Sequence, residues 1–550
     1  MNSIRKPTRS ADLAAAVRGP TAVYLAIAIP LWTLVVWGAF FDQAATHLMG
    51  SDFWEHSAVL KAWIADLWRP DNPQLTTANS SREFTPFFFL VAALSRALGL
   101  DPFQAMGLAG TLSITLFFLA VPLFFNRLFS SRWAGPIGLI VMLMGWGSGW
   151  LWSNLYQLRA LFYVVAYQSF FAISLSLVAF RLMLGVLRRE GFAPLYFSGL
   201  VVVVGLVFTV HPLTGLFAVA TLFSLAVGEH SVSARRRLLS LVGVALGLGL
   251  TAFWPFFSVW GLVLGEGATM AGGSTGPHAI AAQPDRFAKL FDIHPFYAPV
   301  QVLITFGPLL GGVPVIAFLA LARKYLFVPL GAVFMLIPYF GKLLFPVPLG
   351  HRFLLYFAFF CQVALVWLML RWLTAEDGAR QRRRLILRGA AVTTLVLMAS
   401  WNLALTGAEL AGYHLDAAGQ MLPRFALRSN LVERYEKLAS LLPPDAVVMA
   451  QRLEGWPLPT FAGKVVALWH PNPLVHDSAE RARDVKAFFS PLTDNAQRIA
   501  LLRKYGATYA FFAPRTLPRA VTHAIRQLAA GYAYDGTFVL VKLRSTGAAS

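Results

Sequence analysis

Phe84–Leu100 reads FTPFFFLVAALSRALGL, and the fold turns on whether this stretch crosses a membrane. As a full span it would reverse the sidedness of everything that follows it. As an amphipathic helix lying against the outer surface, it leaves the rest of the chain consistent. Arg96 interrupts its apolar run, which favours the surface reading.

Working outward, the chain has 550 residues, 57% of them hydrophobic and 13% charged, with 45 Phe and 16 Trp. Its mean hydropathy is +0.61. Soluble domains cannot hide that much apolar surface, and the sequence shows repeated runs of roughly the 20 residues needed to cross a bilayer. The expected class is an α-helical polytopic membrane protein.

The first run is Thr21–Phe41, TAVYLAIAIPLWTLVVWGAFF, behind a tail carrying Arg5, Lys6, Arg9 and Arg18. It exceeds the roughly 7–15 apolar residues of a cleavable signal, so it reads as a retained span. Further runs lie at about 103–126, 133–152, 163–187, 193–210, 213–228, 238–260, 298–321, 326–341, 352–373 and 389–410, which makes about eleven. Alternate connections hold the arginine clusters, among them Arg235–Arg237 and Arg382–Arg384. With the tail these inner segments hold twenty basic residues, against nine in the outer ones up to residue 410. Basic residues are retained on the cytoplasmic side, so the N-terminus is expected inside and the segment beyond residue 410 outside. The net charge of +20 is therefore a matter of topology, and nucleic acid is not an expected partner.

The expected domains are a cytoplasmic tail at 1–20, a transmembrane domain at 21–410 with outer loops 42–102 and 261–297, and an extracytoplasmic domain at 411–550. The last is expected to be a small α/β domain. It alternates a charged amphipathic stretch, Arg424–Leu442, the run AVVMA, a helical Asn495–Tyr505, the run TYAFFA and the strand-like FVLVKL. The single cysteine, Cys361, lies in a span, so no disulfide supports this domain.

Polar chemistry gathers in the outer segments. GSDFWEHSAVLKAW, Gly50–Trp63, places Asp52, Glu55 and His56 at i, i+3 and i+4, one face of a helix. That face is either the wet side of a surface helix or a site, with Asp52 and Glu55 as candidate catalytic carboxylates and His56 as a binding group. The second loop supplies Asp285, Arg286 and His294. KLLFPVPLGHRF adds Lys342, His351 and Arg352 at the mouth of a span, where Arg352 either anchors at the interface or binds an anion. His211, before Pro212, is either a substrate contact or a helix-end hydrogen bonder. Two carboxylates and one imidazole are an incomplete donor set. No metal ligands are assigned and no cofactor is certain, although a divalent cation, Mg or Mn, is compatible.

The layout resembles the GT-C superfamily of polytopic glycosyltransferases. The likeness rests on the acidic motif soon after the first span, the surface helix FTPFFFLVAALSRALG, the His211-Pro212 pair at an outer turn, Arg352 in HRF, and the C-terminal outer domain. Asp52 followed by Glu55 departs from the adjacent acids familiar in that superfamily. The tail LPPDAVVMAQ with LPTFAGKVVALWHPNP also looks like those of many bacterial members. The resemblance implies transfer of a sugar, with inversion, from a polyprenyl-phosphate donor to a cell-envelope acceptor at the outer face of a bacterial inner membrane. A lipid-tailed donor requires an enzyme embedded in the bilayer, and an acceptor hydroxyl requires a base. The rival expectations are a lipid or solute transporter and a non-catalytic envelope-assembly protein. Transporters commonly show internal repeats and a polar midplane site, and the sequence shows neither.

Overall fold

The computed structural model describes residues 9–41, 52–149, 156–188, 193–229, 231–264, 297–344, 349–373, 381–411, 413–415, 421–423, 431–470 and 472–544. In chain order the first helices are α1 (Arg9–Phe41), α2 (Phe53–Ala65), α3 (Pro86–Leu98), α4 (Pro102–Phe129), α5 (Ala134–Met144), α6 (Leu158–Val164), α7 (Gln168–Arg188), α8 (Ala193–Val210), α9 (Pro212–Gly228), α10 (Ala234–Leu250) and α11 (Val259–Leu264). They are followed by α12 (Pro299–Phe306), α13 (Gly312–Leu321), α14 (Phe327–Leu344), α15 (Phe353–Leu373) and α16 (Gln381–Leu410). Each of the expected runs holds a helix. Among the described residues seven segments are long and apolar enough to cross a membrane: Gly19–Phe41, Pro102–Phe129, Gln168–Arg188, Ala234–Phe253, Pro299–Leu321, Gly350–Leu373 and Leu385–Ala408.

The stretch that opened the question is a 13-residue helix, α3. Thr85 precedes it in extended conformation, Pro86 occupies its first position and Gly99 closes it at φ 67°. At 1.5 Å per residue, α3 is about 20 Å long, short of a roughly 30 Å hydrocarbon core. It buries Phe87, Phe88, Val91 and Ala92 and exposes Leu90, Leu94 and Leu98.

The chain divides into two compact units. The first comprises residues 1–42, 110–253 and 274–424. Within it, α15 is nearly all buried while the Leu385–Ala408 part of α16 leaves much of its surface open. Two expected spans depart from straight helices, and the cause is tertiary. The run at 298–321 breaks into α12 and α13 around a 3-10 turn, Gly307–Gly311, with Gly307 at φ 45°. The run at 133–152 stops being helical after Met144. At both breaks glycine brings two backbones together: a Cβ on Gly147 would meet the Ile304 carbonyl oxygen at 2.0 Å. Gly147 and Gly149 instead donate to Thr305 and Ile304 carbonyls at 2.9 and 3.0 Å.

Buried amides satisfy the carbonyls that these breaks release. Asn402 Nδ2 donates to the Met144 and Trp146 carbonyls at 2.7 and 3.0 Å, and Gln157 Nε2 to the Gly147 carbonyl at 2.8 Å. Tyr156 donates to Gln362 Oε1 at 2.7 Å. Inside such a unit an unpaired backbone group is costly, so polar side chains are placed where the helix ends.

The second unit comprises residues 43–109, 254–273 and 425–550. After a short pair, β1 (Tyr413–Leu415) and β2 (Met421–Pro423) in the first unit, its elements are α17 (Leu431–Ala439), β3 (Val447–Ala450), α18 (Leu458–Phe461), β4 (Lys464–Val465), α19 (Ser478–Phe488), α20 (Asn495–Tyr505), β5 (Tyr509–Phe512), α21 (Arg519–Gln527), β6 (Ala529–Tyr534) and β7 (Val539–Leu543). The sheet order is β4-β3-β5-β7-β6, parallel across the first three strands and antiparallel beyond. Alternation along β5 splits the core: Tyr509 and Phe511 pack with Tyr435 and Leu438, Ala510 and Phe512 with Val485 and Phe488. Both faces are covered, which accounts for apolar runs without polar alternation.

The segment 52–102, up to the start of α4, belongs to this same unit. Leu75 bridges Val465 in parallel, and Val465 donates to the Gln74 carbonyl at 2.8 Å, so this segment lengthens the sheet at β4. Thr460 Oγ1 donates to the Trp54 carbonyl at 3.0 Å, and Lys61 Nζ to those of Pro459 and Phe461 at 3.1 and 2.7 Å. These bonds hold α2 on α18.

Candidate active site

Asp52 stands at the N-cap of α2, where an Asp side chain ordinarily accepts from the first-turn N–H groups and stabilises the helix by about 1 kcal/mol. It forgoes that bond. Its Oδ1 faces His470 Nδ1 at 3.3 Å, and the same nitrogen faces Glu55 Oε1 at 3.4 Å. Glu55 Oε2 lies 3.7 Å from an Arg82 terminal nitrogen, Arg82 Nε lies 3.0 Å from Glu83 Oε1, and Glu83 Oε2 lies 3.4 Å from His56 Nε2. The six side chains form a row of alternating polarity, His56–Glu83–Arg82–Glu55–His470–Asp52. It runs from a buried imidazole to a carboxylate that is 33% exposed, whereas Glu55 is 4% and Glu83 16% exposed.

Each member is placed by local chemistry. The turn of α2 puts Asp52, Glu55 and His56 on adjacent positions, and burial of both Glu55 and His56 removes the wet-face reading of that motif. Arg82 and Glu83 sit in the turn before α3, where Glu83 N donates to Ser81 Oγ at 3.2 Å and Trp254 Nε1 to the Phe84 carbonyl at 2.8 Å. His470 follows β4. Arg452 donates to the Leu468 and Trp469 carbonyls at 2.7 and 2.5 Å, and the Trp456 ring stands edge-on to the imidazole with centroids 4.8 Å apart.

The electrostatics follow from that row. Burial alone would raise Asp52, but the bond to His470 and the charges of His56, His470 and Arg82 outweigh it and hold the carboxyl at about 2. Glu83 is likewise held at about 2 against its burial, by the bond to His56 and by Arg82. Burial would lower His470, yet Asp52 and Glu55 lift it to about 9. Arg82 is raised above its ordinary value despite burial by Glu83, Glu55 and Asp52. At neutral pH Asp52 and Glu83 are ionised and His470 is a cation. Asp52 is the most open of the three acids in the row, beside the part-exposed His470.

The remaining sequence candidates fall elsewhere. His211 is the N-cap of α9: its Nδ1 accepts from Thr214 N at 3.2 Å and meets Thr214 Oγ1 at 2.7 Å, and that hydroxyl meets Tyr356 at 2.8 Å. This is the helix-end role. His351 and Arg352 form a 3-10 turn, Gly350–Arg352, before α15, entered through Leu349 at φ 53°. The turn packs on α14, whose last turn carries Lys342, so the three side chains share one end of the first unit. Asp285, Arg286 and His294 lie outside the described residues. Among the described residues no three His, Cys, Asp or Glu side chains are set to hold one metal ion. The facing oxygens of Asp52 and Glu55 already meet a protonated nitrogen, which a cation would have to displace.

Sequence reasoning did not select His470, Arg82 or Glu83. Arg82-Glu83 adjoins the FTPFFFLVAALSRALG stretch, and His470 lies in the quoted tail LWHPNP, but no local spacing ties either to Asp52.

No family model matches the chain, and no curated protein does. Solved structures do. ArnT from Cupriavidus metallidurans bound to undecaprenyl phosphate superposes with a TM-score of 0.58 at 15% identity, over 96% of this chain and 99% of that one. The same protein in the apo state gives 0.56 at 16%, over 96% and 98%. The chain has the GT-C fold. The Archaeoglobus fulgidus oligosaccharyltransferase in the apo form, at 0.52 and 12% identity over 96% of this chain and 75% of that one, agrees. The GT-C fold is an architecture, and the chemistry has to be argued from the residues.

Proposed function

We propose that this chain is an inverting glycosyltransferase that moves a sugar from a polyprenyl-phosphate donor to a cell-envelope acceptor. In this reading it has about eleven spans in a bacterial inner membrane, its N-terminus is cytoplasmic, and the transfer occurs at the outer face. The observation that carries the reading is Asp52: an uncapped, part-exposed carboxylate at the end of a row of charge whose other two acids are largely buried. The GT-C fold, and an ArnT structure that holds undecaprenyl phosphate, support a lipid-linked donor. A scaffold has no use for a carboxylate withdrawn from its helix cap and held by an imidazolium. A transporter would place its polar site at a midplane, whereas the buried amides of the first unit are engaged with the carbonyls of helix ends.

In this mechanism the acceptor hydroxyl gives its proton to Asp52 while its oxygen forms a bond to the anomeric carbon. The bond from that carbon to the phosphate oxygen breaks on the opposite face, which inverts the centre and releases polyprenyl phosphate. A carboxylate held at about 2 is a weak base. It suffices because the hydroxyl becomes strongly acidic as its oxygen commits to the new bond. The leaving phosphate is already an anion and needs fixed cations rather than an acid, the role proposed for Arg352 with His351 and Lys342. The test is the lipid-linked sugar pool of a strain lacking the gene. One polyprenyl-phosphate sugar should accumulate while its sugar disappears from an envelope component, and an unchanged pool would overturn the proposal.

A further inference from the structure

Within the row of charge, His470 is the one member contributed by the C-terminal residues. Among the described residues it is also the only group that pairs with both Asp52 and Glu55. Its Nδ1 lies at nearly equal distance from an oxygen of each, and a nitrogen lone pair pointed at two carboxylates would be repelled, so Nδ1 carries a proton. The ring is not loosely attached. Arg452 fixes the two carbonyls that precede it, and Trp456 backs the imidazole.

We propose that His470 is the positioning residue for Asp52: its imidazolium draws Oδ1 away from the helix cap and stands between the carboxylates of Asp52 and Glu55. This rests on the reading of Asp52 as the base. Two carboxylates that share one cation repel each other when it is removed, and one of them then takes up a proton at much higher pH. Arg82 does not replace it, because it meets Glu55 and Glu83 while its effect on Asp52 is through charge alone. His56 faces Glu83. Among the described residues the other rings against it, Trp456 and Trp469, carry no charge, and the Arg452 guanidinium lies over the Trp469 ring. The C-terminal domain thereby sets the protonation state of a base that lies on the first outer loop.

The test uses the full chain added to membranes of the deletion strain, which hold the accumulated donor and its acceptor, with donor consumption followed from pH 4 to pH 8. Wild type should show a flat acidic side. In His470→Gln an acidic limb should appear between about pH 4 and 6, with turnover recovering toward pH 8. His470→Lys, which keeps a cation, should move the limb back toward lower pH. A His470→Gln profile that is lowered by one factor at every pH, alongside a lower melting temperature, would make His470 merely structural and overturn the proposal. The parallel Asp52→Asn arm separates the two ideas. Full activity there removes Asp52 as the base, whereas an inactive Asp52→Asn with an unshifted His470→Gln removes only the role of His470. An activity-independent measurement covers a variant that fails to fold: in ¹⁵N-histidine spectra of the wild-type protein, His470 should titrate near 9, and titration near 6.5 would overturn the proposal.

Discussion

Arg82→Met removes the cation at the centre of the row while keeping a chain of similar length. Arg82 sits 3.0 Å from Glu83 and 3.7 Å from Glu55, and neither acid is more than 16% exposed. Deleting one partner of a buried ion pair costs about 3–5 kcal/mol, because the charge left behind has lost its water as well as its partner. Arg82 itself is 32% exposed, and His56 and His470 still face the two acids, so about 2–3 kcal/mol is the expected loss at pH 7. The sign of its pH dependence follows from Glu83, whose carboxyl is held at about 2 in the folded protein against an ordinary 4.5. Such a group contributes stability that is fully present above its unfolded value and is lost as pH falls toward 2. The deficit of Arg82→Met should therefore be largest above pH 5 and shrink toward pH 3, where Glu83 of the variant can take up a proton. Melting of the detergent-solubilised wild type and variant at pH 7 and at pH 4 measures this. Equal melting at pH 7, or a deficit that stays constant with pH, would refute the charge row as an energetic unit.

Arg352→Ala should lower turnover by more than it weakens donor binding, and Arg352→Lys should rescue only in part, because an ammonium keeps the charge but loses the bidentate fork. A fully active Arg352→Lys would sink the phosphate assignment. A reporter active only outside the cytoplasm should work when fused after residue 410 and stay silent when fused after Arg237, and the reverse would remove the outer-face site. Thorough chelation should leave donor consumption intact, since His470 already meets the oxygens that a Mg or Mn ion would need, and loss restored by either metal would contradict this.

What the sequence made legible is what local physics decides. Asn495–Tyr505 was readable to the residue because its signals are adjacent: Asp494 and Gln497 form a capping box and Gly506 closes the helix at φ 64°. The same holds for α3, bracketed by Thr85-Pro86 and Gly99, and for the buried strands β3, β5 and β7, whose apolar runs reflect a sheet covered on both faces. The edge strand β6, AAGYAY, carries a glycine and an exposed surface and gave no such signal. The break at Gly307 was not readable either, because it depends on Gly147 approaching from another segment. At the site, i, i+3, i+4 spacing exposed Asp52, Glu55 and His56, whereas their partners come from a separate turn and from the far end of the chain. The hydrogen bond that docks this end on α2, from the Thr460 hydroxyl to the Trp54 carbonyl, spans 406 residues. No periodicity in one sequence reports a contact of that range.

The most direct measurement of the central claim is donor turnover by Asp52→Asn in deletion-strain membranes. The substitution keeps the size of the side chain, and it removes no helix cap, because Asp52 makes none. An amide cannot accept the acceptor's proton, so turnover should fall by roughly 10² to 10⁴ while the protein still inserts and binds the lipid-linked donor. Near-normal turnover at neutral pH would contradict the account, since it would leave the exposed end of the charge row without a part in the reaction.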